Sequence, residues 1–213
     1  RVDSSSPILR TGKAFPHAYG DDVKITPEFG YSCYEALFFR VVEYIKNNRS
    51  KKFEQAFHQY AYLTRGILRE EPETEEQNDV VVFSFWDWIV HTPEAMTRNK
   101  TGIDLFLDHE KKLTAFERDL LYRMTDSVVT LFEVTNSDTG NKLVFKDLFL
   151  GCAPVEKDCP PYDMGEFCVL AGGRVISMPY GDEVGLALYP FRTSDKSHLL
   201  DDLNRSWREF KKS

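Results

Sequence analysis

The spacing of apolar residues changes character once along this chain, near Val128. Before that point it follows a helical period. In "CYEALFFRVVEYIKNNRS" Leu37, Val41, Tyr44 and Ile45 recur at three and four residues, while Glu43, Lys46 and Arg49 fall elsewhere on the wheel, the pattern of an amphipathic helix. "KKFEQAFHQYAYLTRGILRE" repeats it through Phe53, Ala56, Phe57, Tyr60, Leu63 and Ile67. The polar link "NNRS" predicts that the two form a helical pair. "EEPETEEQND" reads as an exposed connector, because like charges repel and its proline lacks an N–H donor. A cation site there is disfavoured by the lack of an alternating ligand pattern.

The most apolar segment follows, "VVVFSFWDWIVH". It is too short for periodicity to separate helix from strand, and its helical flanks favour a helix. "IDLFLDHE" is a short amphipathic piece. Thr114 and Glu117 have capping-box spacing before the stripe Phe116, Leu120, Leu121 and Met124. After Val128, "SVVTLFEV" and "KLVFKDLF" flank the turn residues "NSDTGN", which predicts a hairpin. "EFCVLAGGRVISMPYG" predicts two more strands reversing at Gly172 and Gly173. "EVGLALYPF" reads as a further strand or the lead into a final helix, "SDKSHLLDDLNRSWREFKKS".

These elements predict an α+β protein: a helical region of four to five helices over 1–126, then a small antiparallel β-barrel-like domain closed by a C-terminal helix over 127–213. With 213 residues, 42% of them hydrophobic, the chain can bury a substantial core. A formal charge of -7 disfavours a generic nucleic-acid surface, which relies on clustered Lys and Arg. No apolar run approaches the ~20 residues that span a bilayer, and "RVDSSSPILRTGKAFPHAYG" lacks the apolar centre of a signal peptide. The expected compartment is the cytoplasm.

Candidate chemistry is sparse. Asp87 lies between two tryptophans, and a buried carboxylate there must be hydrogen-bonded, paired or protonated. The structural reading makes it a pairing or capping group of the core. The functional reading joins it to His91, which at i, i+4 shares its helical face, as an acid–base or metal pair without an apparent third ligand. Cys33, Cys152, Cys159 and Cys168 match no zinc-ribbon or CxxC spacing. Buried thiols are the preferred reading, and a metal site of Cys152, Cys159 and Cys168 with a distant histidine is the sharper one. Asp108 and His109, adjacent and so about 100° apart on a helix, are expected at the surface. Asp21 and Asp22 read as a solvated turn. Gly172-Gly173-Arg174 reads as a hairpin turn rather than an anion site. P-loop, GxGxxG, HExxH and GxSxG motifs are missing from the sequence.

The order "FWDWIV", "TGIDLFLDHEKKLTAFERDLLYRMTDSVVTLFEVTNSDTGNKLVFKDLFLG" and "GEFCVLAGGRVISMPYG" resembles the body shared by uncharacterised bacterial proteins that often carry a SEC-C zinc motif. In those proteins a Trp-containing helix leads to "slfeV", a turn, "lrDLltG" and a late glycine hairpin. The matching positions here are Asp87, Trp88, Phe132, Glu133, Val134, Asp147, Leu148 and Gly151, and the resemblance covers Val82 to Gly181. This chain lacks the family's CxCGSGxxxxxCC-type cluster, so zinc binding does not carry over. The resemblance implies an architecture and no established reaction. No cofactor is expected. The function expected is a non-enzymatic cytoplasmic binding or adaptor module whose partner is a macromolecule, preferably a protein. The alternative is a metal-dependent hydrolase or nuclease using Asp87, His91 and further carboxylates.

Overall fold

The first helix starts where three local signals coincide. Thr26 is extended and accepts a hydrogen bond from the Phe29 amide (3.4 Å), Pro27 takes the first helical position, and Glu28 lies in the first turn. Each suits a helix N-terminus, where donors are unpaired and the macrodipole is positive. The computed structural model describes residues 25–64, 75–96, 99–136, 142–158 and 170–191. Helix α1 spans Pro27–Asn48 and α2 spans Ser50–Thr64, so Arg49 alone separates them. The expected four-residue link is shorter because Asn47 and Asn48 complete α1, where the Asn48 side-chain amide donates to the Tyr44 carbonyl (3.0 Å).

Helix α3 runs Glu75–His91, which settles the apolar segment as helix. It also corrects the reading of the acidic run, whose second half, 75–79, is helical rather than loop. Acidic residues in the opening turns complement the macrodipole. The short α4 (Pro93–Met96), α5 (Gly102–His109) and α6 (Ala115–Thr125) follow. Both α5 and α6 open on capping boxes, Thr101 with Asp104 and Thr114 with Glu117. Gly102 sits where a Cβ would lie 2.5 Å from Ile45 Cδ1 and 2.9 Å from the Ile89 carbonyl. Only glycine lets α5 begin this close to α1 and α3. The helical core that results is built on Tyr34, Leu37, Phe38, Ile89, Leu120 and Leu121.

The strands are β1 (Val128–Asn136), β2 (Lys142–Asp147), β3 (Val155–Asp158), β4 (Leu170–Met178) and β5 (Gly181–Phe191). They form an antiparallel half-barrel sheet in the order β3-β2-β1-β4-β5, with β3 and β5 at its edges. The protein is therefore α+β, with an open sheet. The expected hairpin is present, with Phe132 opposite Asp147 and Val134 opposite Phe145. Gly172 and Gly173 do not reverse the chain: they are buried within the single strand β4, and the turn falls at Pro179–Tyr180 before Gly181 (φ 135°). Glycine in a strand interior permits close backbone approach as readily as it permits a turn. The expected C-terminal helix lies outside the described residues.

The described residues fall into two compact units, one within Arg1–Val128 plus Val175–Ala187 and one within Val129–Arg174 plus Leu188–Ser213. The sequence drew one boundary at 126/127, whereas contacts group part of β4 and β5 with the helices. Ile176 and Met178 of β4 belong to the helical core. In that unit the Tyr34 hydroxyl of α1 accepts from the Leu186 amide of β5 (3.1 Å). No helix among the described residues is long and apolar enough to cross a membrane.

Candidate functional site

Ser84, Asp87 and His91 are spaced i, i+3 and i+7 on α3, which lines them along one face. Ser84 and Asp87 are buried, and the Asp87 and His91 side chains are 4% and 2% exposed. The i, i+4 pair expected from the sequence therefore forms, with His91 Nε2 3.6 Å from Asp87 Oδ1. That is ion-pair range, longer than a direct N–H···O bond. The sequence had not joined Tyr60 to this pair. It reaches from α2, hydrogen-bonds the Ser84 side chain, and has its hydroxyl pKa pushed up by burial, with the Ser84 bond lowering it and the Asp87 charge raising it. The rings of Phe85 and Trp88 each stand 5.6 Å from the Tyr60 ring. The result is a polar seam under aromatic cover. A general base must come within hydrogen-bond reach of a substrate proton, and at these exposures Asp87 and His91 face protein. Among the described residues no three His, Cys, Asp or Glu side chains are grouped to hold a metal ion.

The cysteines divide. Cys33 is buried on α1, and burial followed by the Glu117 charge pushes its thiol up to about 11, so it stays protonated and is a poor nucleophile. Cys152 is half-buried in the loop after β2, where its amide donates to Asp147 Oδ2 (3.1 Å). Cys159 and Cys168 lie outside the described residues, as do Asp21 and Asp22. Asp108 and His109 are exposed as expected: Asp108 pairs with Lys100 (2.5 Å), and His109 lies against the Tyr44 ring (4.9 Å between centroids).

Two further buried carboxylates turn out to organise loops and helix ends. Asp147 closes β2 and accepts from Thr130 Oγ1 (2.5 Å) and from the amides of Phe149 (3.3 Å), Leu150 (2.7 Å) and Cys152 (3.1 Å). Burial raises its pKa, but these donors outweigh burial and hold it below the ordinary carboxylate range. Gly151 ends the loop at φ 77°, a left-handed conformation that favours glycine. The segment "DLFLG" is thus a carboxylate-centred turn, and the hairpin quoted above is scaffold. Glu117 caps α6 through the Thr114 amide (2.7 Å) and also pairs with Arg40, whose guanidinium sits 5.7 Å over the Phe106 ring.

The surface carries a different kind of feature on α2. Phe57 is 46% and Tyr62 75% exposed. Lys51, Gln55, His58 and Tyr62 are all exposed at i, i+4, i+7 and i+11, one outward line. Lys46, Arg49, Lys51 and Lys52 crowd the adjoining α1–α2 corner, all exposed, with no ion pair among the described residues. The run "KNNRSKK" was the available signal, and its density was lost in the acidic average of the chain. No known protein family, curated protein or solved structure matches this chain.

Proposed function

We propose that this chain is a non-enzymatic binding module that recognises another protein through the outward face of α2. The observation that carries the reading is the 75% exposure of Tyr62 on a helix that already buries Ala56 and Tyr60 against its own core and turns the Phe57 ring onto Phe85. Large aromatics held on a rigid helix supply contact area at low entropic cost and dominate interface energetics. Support comes also from the carboxylates: Asp147, Glu117 and Asp104 accept from backbone donors of their own loops and helix ends, which gives each a structural use. The same reading puts the protein in the cytoplasm, beside the SEC-C-associated proteins that Val82–Gly181 resembles. It takes the C-terminal segment as a helix closing the sheet.

The test is affinity capture from host extract with the whole chain and with a Tyr62→Ser variant. The position is 75% exposed, so the variant should keep its circular dichroism and lose the captured protein. Capture that ignores the substitution would remove α2 from the reading. Manganese-dependent cleavage of bis(p-nitrophenyl) phosphate that vanishes in Asp87→Asn would replace it with a metal hydrolase or nuclease built on the Asp87–His91 pair.

A further inference from the structure

The opening turn of α2 is charged against its own helix. Its first three residues are Ser50, Lys51 and Lys52, with no acidic residue in the turn. A helix N-terminus carries partial positive charge, so lysines there oppose the macrodipole while Asp or Glu would favour it. Lys46 has a local explanation, since it lies in the last turn of α1 where a cation is favoured. Lys51 and Lys52 have none among the described residues. Both are exposed, and neither has an ion pair among the described residues. A local choice that costs stability without an internal return is the kind that serves a contact.

The line from Lys51 through Gln55 and His58 to Tyr62 covers about 16 Å at the helical rise of 1.5 Å per residue. It is cationic at the α1–α2 corner and aromatic at the far end, with Glu54 as the nearby acid. We propose that this face docks an acidic amphipathic segment of a partner protein, its carboxylates on Lys46, Arg49, Lys51 and Lys52 and its apolar residues on Tyr62. The proposal rests on the binding-module reading and names the chemistry of the partner. The charge of the face is complementary to such a segment and opposite to that of the chain, which totals -7. That total disfavours a polyphosphate strand, whose affinity grows with the number of phosphates neutralised. At about 0.15 M salt, screening over about 8 Å leaves the corner to act at contact.

The experiment uses the whole chain and three fluorescein-labelled probes followed by anisotropy at physiological salt. They are a three-turn helical peptide with glutamates at one end and leucines on one face, its lysine-for-glutamate counterpart, and a thymidine oligonucleotide. The acidic peptide should bind in preference to the other two. Lys51→Glu/Lys52→Glu should weaken it roughly tenfold, the scale of a lost charge-complementary contact, and leave the melting temperature equal or higher because the new acids favour the helix end. Stability and binding then move in opposite directions, which a folding defect cannot produce. No saturable binding of the acidic peptide, equal binding of the lysine peptide, preference for the oligonucleotide, or indifference to the lysine substitutions each overturns the proposal. If the partner captured from extract is released by Tyr62→Ser but held by Lys51→Glu/Lys52→Glu, the acidic occupant is wrong and the binding module stands. If neither variant releases it, both fall.

Discussion

Replacing Asp147 with asparagine changes one oxygen to an amide and leaves shape nearly untouched, so its effect isolates the electrostatics of the β2 turn. Oδ1 accepts from Thr130 and the Phe149 amide, and Oδ2 from the Leu150 and Cys152 amides. An asparagine offers one accepting oxygen. Turned with its NH2 group toward Leu150 and Cys152 it faces two amide donors and loses both bonds; turned toward Thr130 and Phe149 it can donate to the Thr130 hydroxyl and loses the Phe149 bond alone. A hydrogen bond to a charged group is worth about 1.5–3 kcal/mol net, and the better orientation strands the Phe149 amide, so the expected cost is about 1.5–3 kcal/mol at neutral pH. The pH dependence has a definite sign. Because the native carboxyl titrates below its ordinary range, its stabilisation is complete above the unfolded-state pKa, near 3.9, and is lost as pH falls through the lower native value. Urea unfolding of wild type and Asp147→Asn at pH 7 and again well below pH 4 should therefore show a gap that narrows in acid. A gap under about 0.5 kcal/mol at pH 7 would show that the turn does not depend on the carboxylate. A gap that persists unchanged in acid would show that the charge is not its cause.

Phe145 is 1% exposed and stands edge-on to Phe132 at 5.7 Å. Phe145→Ala should cost about 3–5 kcal/mol in urea unfolding, and less than about 1 kcal/mol would refute the shared core. Asp87→Asn should lower stability by about 1–3 kcal/mol, as expected where a buried charged group is badly replaced. A variant that keeps its melting temperature but loses metal found at stoichiometric level in the wild type by elemental analysis would promote the hydrolase reading.

Periodicity made the helices legible because each buries one stripe: Leu37, Val41 and Ile45 are all fully buried, as are Leu120 and Leu121. The hairpin was legible because turn residues and β-branched runs agree on it. What failed depended on information the local sequence does not contain. Gly172 and Gly173 carry the same letters whether they turn a chain or fill a strand, while the actual reversal at Pro179, Tyr180 and Gly181 was printed a few residues on. The four-residue β3 is too short and too charged to signal itself, yet Val155 pairs with Phe145 across β2. In the candidate seam, the spacing of Asp87 and His91 was readable on α3 alone. Tyr60 was not, since nothing local says that α2 turns that hydroxyl toward Ser84. Asp147 reads as an ordinary strand carboxylate until the amides two, three and five residues on fold back around it.

Those amides bear on where recognition can occur. A carboxylate leaves water at a cost of several kcal/mol, offset only when donors surround it. Asp147 has four donors, and Glu117 holds the Thr114 amide and the Arg40 guanidinium. Withdrawing either to bind a ligand would strand those donors and open the turn or helix end that they hold. The reverse is true at the α1–α2 corner. Exposed ammonium groups keep their hydration until a partner displaces it, so contact there begins without dismantling any internal bond. Under the proposed reading a partner therefore meets, on an acidic protein, one corner whose exposed charge is positive, and the cost of binding falls on exposed side chains rather than on the fold.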